Sequence, residues 1–249
     1  MTKIAAFGTL LKRGICQVET AVIVGTITGS GNATFTLTMA GMTGSPIATS
    51  VAVLNGDLPS VTAQKAKAAM DLNADITAKV ELSISGDNLA VRALIGAAND
   101  ATMNLAYTNG TCTGLTPDAT STDTTAGVAV VTVASVKNIG GPGLALDNED
   151  VTTHDQSTSF EEVVPTILRS GEVSIELVYD PNDATHKAST AGFLDDVEAK
   201  VLAFFQIIFP GPYTWGFQGY AVGFEPSSSA DAALTASATI KITGQPTLV

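Results

Sequence analysis

The sequence predicts a mainly β chain organised as two β-rich blocks. Apolar and polar residues alternate with period two along most of its length, the signature of half-buried strands. Turn signals built on Gly, Asn-Gly and Asp-Pro recur between the alternating stretches. Only two stretches carry helical spacing. The 249 residues suit one or two domains, and 45% hydrophobic residues against 14% charged exclude whole-chain disorder.

The first block runs from residue 19 to about 128. Thr34, Thr36 and Thr38 alternate with Phe35, Leu37 and Met39, a strand with one buried face. Residues 50–54 form another, ended by Asn55-Gly56. Residues 60–72 are the helical stretch of this block, with Ser60 as N-cap and Val61, Ala68, Ala69 and Leu72 on one face. Residues 80–85 and 89–95 flank Gly86-Asp87-Asn88 in a hairpin pattern. Residues 104–108 precede Asn109-Gly110, a strong turn signal. About five strands and one helix result, closed by a Ser/Thr run at 120–125 that reads as a linker.

The second block spans residues 129–249. Residues 130–136 are a β-branched strand, broken by Gly140-Gly141-Pro142-Gly143. Residues 144–165 are polar and acidic and read as a long excursion, not a core element. Residues 172–179 are a strand with Val173, Ile175, Leu177 and Tyr179 on the core face. Its other face, Glu172, Ser174 and Glu176, must meet solvent or a lumen. Asp180-Pro-Asn-Asp183 announces a helix over 184–200, with Asp183 as candidate N-cap, Lys200 near the C-terminal end and Gly192 as a weak point. Residues 201–209, 213–224 and 233–242 are three further strands. Nine of the fourteen aromatic residues fall between Phe193 and Phe224, which places the main core there.

A formal charge of −12 and a pI near 4.4 argue against gripping nucleic acid through its phosphates, though not against nucleic acid sliding past. The longest apolar run, 201–209, is interrupted by Gln206 and is half of what a spanning helix needs, so no membrane insertion is expected. Lys12 and Arg13 fall where a signal peptide needs an unbroken apolar core. Cys16 and Cys112 form no CxxC pair; one distant disulfide stays open, and reduced thiols are the simpler reading.

Candidate sites have plain explanations. His154-Asp155 with Ser157 invites a triad, but triad members converge from distant segments, so no catalytic residue is assigned. His186 reads as a surface or interface histidine. Asp147, Glu149 and Asp150 lack the D-x-D-x-D-G ladder of a calcium loop. Gly140-Gly-Pro-Gly143 lacks the Lys-Ser/Thr and the helix of a phosphate cradle. Trp215 beside Phe217 is read as core. No cofactor and no metal are expected.

Five fragments stand in order across the second block: Ile139-Gly-Gly-Pro-Gly-Leu-Ala-Leu-Asp147 with Asp150-Val-Thr-Thr-His-Asp155, Gly171-Glu-Val-Ser-Ile-Glu176, Tyr179-Asp-Pro-Asn-Asp183, Gly223-Phe-Glu-Pro226 and Ile240-Lys-Ile-Thr-Gly244. With Phe7-Gly-Thr-Leu-Leu-Lys-Arg-Gly14 near the start, this resembles the major tail tube protein of long non-contractile-tailed (siphovirus) phages. In that family the opening strand leads quickly to the Gly-Pro-Gly segment. Here about 110 residues intervene, which implies a tail tube domain (1–18 plus 129–249) carrying an inserted small β-rich α+β accessory domain (19–128). Gly41-Met-Thr-Gly-Ser-Pro46 and Ala98-Asn-Asp-Ala-Thr102 resemble a β-rich unit of phage structural proteins.

The resemblance implies a β-sandwich of two antiparallel sheets with one flanking helix, and a structural virion protein that is not an enzyme. Copies would close hexameric rings that stack into a tube, assembled in the host cytoplasm for the virion tail. Its partners would be itself, the tape-measure protein, the tail terminator and baseplate or tail-tip proteins, with DNA crossing the lumen unbound during ejection. Leu144, Asp147, Asp150, Thr152, His154, Asp155 and Phe160 would belong to an inter-subunit or inter-ring loop. Glu172, Ser174 and Glu176 would face the lumen, where carboxylates repel phosphate; an ordinary wet outer face is the alternative. The inserted domain would project outward as decoration or weak glycan adhesion. The competing class is a two-domain β-rich surface adhesin or carbohydrate-binding module.

Overall fold

A computed structural model describes residues 8–153, 160–187 and 192–248. The chain is mainly β and divides into two compact units, one formed by Met1–Arg13 with Val131–Val249 and the other by Gly14–Val130. The first unit opens with β1 (Leu10–Ile15). The chain then builds the second unit: β2 (Val18–Val22), β3 (Gly31–Thr38), β4 (Ile47–Val53), α1 (Pro59–Met70), α2 (Ala74–Thr77), β5 (Val80–Ser85), β6 (Asn88–Ala93), β7 (Asn104–Thr108) and β8 (Thr122–Thr125). It returns through β9 (Val128–Thr132) to β10 (Val136–Gly140), β11 (Ala145–Asp150), β12 (Val163–Arg169), β13 (Glu172–Val178), α3 (Phe193–Ala199), β14 (Leu202–Ile208), β15 (Thr214–Ser227) and β16 (Thr235–Leu248).

In the Gly14–Val130 unit, two antiparallel sheets, β5-β6-β2-β8 and β4-β3-β7, share one core with α1. Phe35 stacks on Tyr107 across the β3–β7 pair. The Tyr107 hydroxyl donates to the Val22 carbonyl and accepts from the Val24 amide, so a phenol deep in the core keeps its polar tip satisfied. Seven strands and two helices stand where five and one were expected. The Ser/Thr run is β8, not a linker. It pairs with β2 and is exposed throughout, so no apolar alternation marked it. The helix starts earlier than Ser60. Leu58 is its N-cap without a side-chain bond, and Pro59 sits in the first turn with its φ already suited to a helix. The buried face also differs from the expected one. Thr62, Ala63, Ala66 and Met70 are buried, while Leu72 lies beyond the helix end and is exposed.

The other unit is one seven-stranded sheet, β10-β13-β16-β15-β14-β1-β9, plus the two-stranded ribbon β11-β12. Laid flat, seven strands would separate β9 from β10 by about 29 Å at ~4.8 Å per strand. The link from Thr132 to Val136 can span only about 14 Å. The sheet therefore curls over itself, turning at Ser135 (φ +53°) and bending at bulges in the fourteen-residue strand β15. A single sheet thus makes two layers around one core. Val173, Ile175 and Leu177 of β13 meet Leu11, Phe205, Ile207 and Phe217 from β1, β14 and β15. The 130–136 segment is accordingly two strands joined by a corner.

The expected helix over 184–200 is shorter. The Asp183 carboxylate accepts from the Thr185 amide (2.7 Å) and hydroxyl (2.6 Å), closing a local turn instead of capping a helix. The helix starts only after Gly192, as α3, and ends on Lys200 in the left-handed region. It is held by a buried bidentate ion pair. Arg13 Nε donates to Asp196 Oδ2 at 2.6 Å and Nη2 donates to Oδ1, with both side chains wholly buried.

Candidate functional site

The ribbon β11-β12 leaves the folded body at a narrow root. Gly171 there holds φ +69° against the Gly143 carbonyl, where a Cβ would collide. From that root Ala145 pairs with Arg169, Leu146 with Leu168, Glu149 with Val164 and Asp150 with Val163. Asp147 is clasped by Arg169, whose Nε donates at 2.6 Å; this bond holds the Asp147 carboxyl below the usual carboxylate range. The Asp150 carboxylate accepts from Thr152, which lowers it too, and the Thr152 hydroxyl accepts from the Glu162 amide at 2.9 Å. These bonds stiffen the ribbon and leave no convergent carboxylate set. Among the described residues no group of three or more His, Cys, Asp or Glu could hold a metal ion.

Every residue of β12 is exposed, and in β11 only Asp147 is partly covered. Leu144, Leu146, Val151, Phe160, Val163, Val164, Ile167 and Leu168 are exposed large apolar side chains, Phe160 at 81%. Val163 and Val164 are neighbours in a strand, so they point to opposite faces. The ribbon is apolar on both sides. Large exposed apolar patches are a general feature of interaction surfaces. Leu144, Asp147, Asp150, Thr152 and Phe160 all lie on or beside it; His154 and Asp155 lie outside the described residues.

The acidic character of 144–165 concealed the return strand Val163–Arg169, whose own valine, isoleucine and leucine content was the available signal.

Among the described residues, β9 and β10 are the two edges of the seven-stranded sheet, each paired on one side only. Beside β10 lies a groove of about 650 Å³, whose walls include Ile139, Ile207, Phe209, Tyr213, Trp215 and Leu248, with Lys137 among the lining residues. Trp215 packs against the core while also lining this groove. Its walls come from four separated segments, which no local sequence pattern could unite.

On β13 the side chains of Glu172, Ser174 and Glu176 are exposed and their apolar neighbours buried. Across the ladders they meet Asn138 and Gly140 of β10 and Ser237, Thr239 and Lys241 of β16, with Lys241 Nζ 3.0 Å from Glu172. His186 is not at the surface. It is wholly buried; Nδ1 accepts from the Asp180 amide and Nε2 therefore carries the proton donated to the Ala134 carbonyl at 2.9 Å. That neutral ring fastens the β9–β10 corner to the 180–187 turn. Cys16 and Cys112 are buried, reduced thiols, and burial pushes Cys16 up to about 12. No helix among the described residues is long and apolar enough to cross a membrane.

What these features define is a β-rich body with a projecting apolar ribbon and two open sheet edges, surfaces suited to association. No protein-family model matches the chain, and no curated protein matches it. Solved structures resemble part of it, three of them as follows. A chain in the virion of a native gene transfer agent particle is 13% identical, with 48% of this chain and 88% of that one covered and a TM-score of 0.39. A chain in the C6-symmetric tail of an empty gene transfer agent particle is 13% identical, covering 48% and 86%, with a TM-score of 0.38. A chain in the six-fold symmetrised baseplate of the anti-feeding prophage is 9% identical, covering 48% and 83%, with a TM-score of 0.39.

Proposed function

We propose that this chain is a structural subunit of a phage-type tail. Copies close into hexameric rings, and the rings stack into the tube through which DNA leaves the virion. The observation that carries the reading is the ribbon: two paired strands exposed along their length, apolar on both faces, useful only when another surface covers them. The open edges β9 and β10 support it, because an unpaired edge is an aggregation hazard unless a neighbour completes it. Edge β9 of one copy against edge β10 of the next is a heterologous contact, which closes a ring or extends a filament according to its rotation.

Glu172, Ser174 and Glu176 line the lumen in this reading. The chain's acidity keeps phosphate from adhering to the wall, since few cations means little counterion release to reward binding. Residues 19–128 form an accessory domain carried on the outside. Tape-measure, terminator and baseplate or tail-tip proteins are the partners the family resemblance implies.

The test is electron microscopy of the purified, concentrated protein. Hollow six-fold rings or tubes are the expected result. A monodisperse monomer at every concentration overturns the reading in favour of a surface-binding module, and a reconstruction with Glu172 and Glu176 on the outer wall overturns the lumenal part.

A further inference from the structure

We infer that the ribbon of one copy seats in the β10-side groove of a second copy, with β12 as the inserted strand. The inference rests on the assembly reading above and names the surface that the ribbon meets.

The two features match in chemistry. The groove offers Ile139, Ile207, Phe209, Tyr213, Trp215 and Leu248, and the ribbon offers Val163, Val164, Ile167 and Leu168 on one strand. A volume of about 650 Å³ lies in the range that encloses several side chains. Charge matches as well. Glu149, Asp150, Glu161 and Glu162 have no ion pair among the described residues, and the ribbon's own cation, Arg169, is spent on Asp147. Lys137, exposed on the groove wall, also has no ion pair among the described residues. Beside the groove, β10 has no strand on its outer side among the described residues, so an arriving extended strand gains main-chain hydrogen bonds as well as side-chain burial.

The occupant is a second copy because of where the ribbon starts. β10 is one wall of the groove, and the chain passes from it through Gly141 directly into the ribbon. The six residues of β11, five of them paired with β12, then carry it about 20 Å along from that root. β12 is exposed along its whole length and none of the residues lining the groove belongs to the ribbon, so the apolar row does not fill its own groove. Ribbon of one copy into groove of the next is a head-to-tail contact, which propagates.

Copies that each add one exposed cysteine to the buried Cys16 and Cys112 test it. Leu168→Cys and Tyr213→Cys chains, both at exposed positions, are mixed, assembled and treated with a short bismaleimide. A second pair, Val164→Cys with Lys137→Cys, guards against one poorly folded variant. The expected result is a covalent dimer in each mixture and none from either copy alone. Assemblies that form without cross-linked dimer in either mixture overturn the ribbon–groove contact and leave the tube reading standing. Failure of the unmodified protein to assemble overturns both. A Leu168→Cys/Tyr213→Cys chain that cross-links within itself as a dilute monomer also overturns the inference, since the groove would then hold its own ribbon.

Discussion

Removing one partner of the Arg13–Asp196 pair should do more harm than removing both. Asp196→Ala leaves a guanidinium with no exposure and no counter-charge, and among the described residues Nη1 of Arg13 already has no hydrogen-bond partner. Burial pushes the Asp196 carboxyl up against the pull of Arg13, so the site tolerates charge only as a pair. Breaking a buried pair typically costs about 3–5 kcal/mol, whereas apolar replacement of both members is often neutral or better. Against a total of about 5–15 kcal/mol for a domain, and roughly 3–5 °C per kcal/mol at this size, the single variant should melt about 10–20 °C lower. Arg13→Met/Asp196→Leu should recover most of that. Thermal and urea unfolding followed by the near-ultraviolet signal of Trp215 report on the unit concerned. A loss below about 1 kcal/mol for Asp196→Ala, or a double variant as unstable as the single, would refute the reasoning.

Two further outcomes follow from the same structure. Joining Ile15 to Ala129 through Asn-Gly removes most of the Gly14–Val130 unit at a point where β1 and β9 already lie side by side; the Val133 amide donates to the Leu11 carbonyl and Gly14 abuts Val128 and Val130. The shortened chain should keep a cooperative melt and a β circular-dichroism spectrum, and insoluble or unfolded product would contradict the autonomy of the two units. In the excised unit, Asp100 feels burial that raises it, outweighed by hydrogen bonds from the Thr102 hydroxyl and the Ala40 and Thr102 amides, so its carboxyl sits below the ordinary range. A depressed folded pKa adds stability above the unfolded value near 3.9 and loses it as pH falls through the folded one. Acid unfolding of the wild type should therefore steepen below about pH 4, and Asp100→Asn should be less stable at neutral pH while losing part of that acid dependence.

Legibility in the sequence followed burial. Residues 172–178 announced their strand because one face is fully buried and the other fully exposed, and the β5–β6 hairpin showed itself in the same way through Val80, Leu82, Leu89 and Val91. β8 and the ribbon have no buried face, so their alternation carries no contrast and their pairing is set by main-chain bonds that leave no mark on composition. Helix ends went astray where local chemistry competed. Pro59 advanced α1, and the Asp183 turn with Gly192 delayed α3. Arg13 read as a charge breaking an apolar run, because its partner lies 183 residues away. The same distance problem hid the groove: the acidic limb with Asp147 and Asp150 was visible as a non-core excursion, but Ile139, Ile207, Trp215 and Leu248 meet only after the sheet curls.

Magnitudes also say how such a subunit would associate. The ribbon's eight large apolar side chains are mostly about half exposed. Full burial of one is worth about 1.5–3 kcal/mol, so covering the exposed part of all eight returns roughly 6–12 kcal/mol. Bringing two proteins together costs about 4–15 kcal/mol in lost freedom before any side chain is ordered. One ribbon contact is therefore near balance and does not hold a dimer by itself. A copy that places its ribbon and at the same time joins an open sheet edge loses rotational and translational freedom once and gains two contacts. Growth onto an existing ring is then favoured over starting a new one. On the proposed reading, free chains assemble only above the concentration at which rings nucleate, and elongation proceeds from those rings.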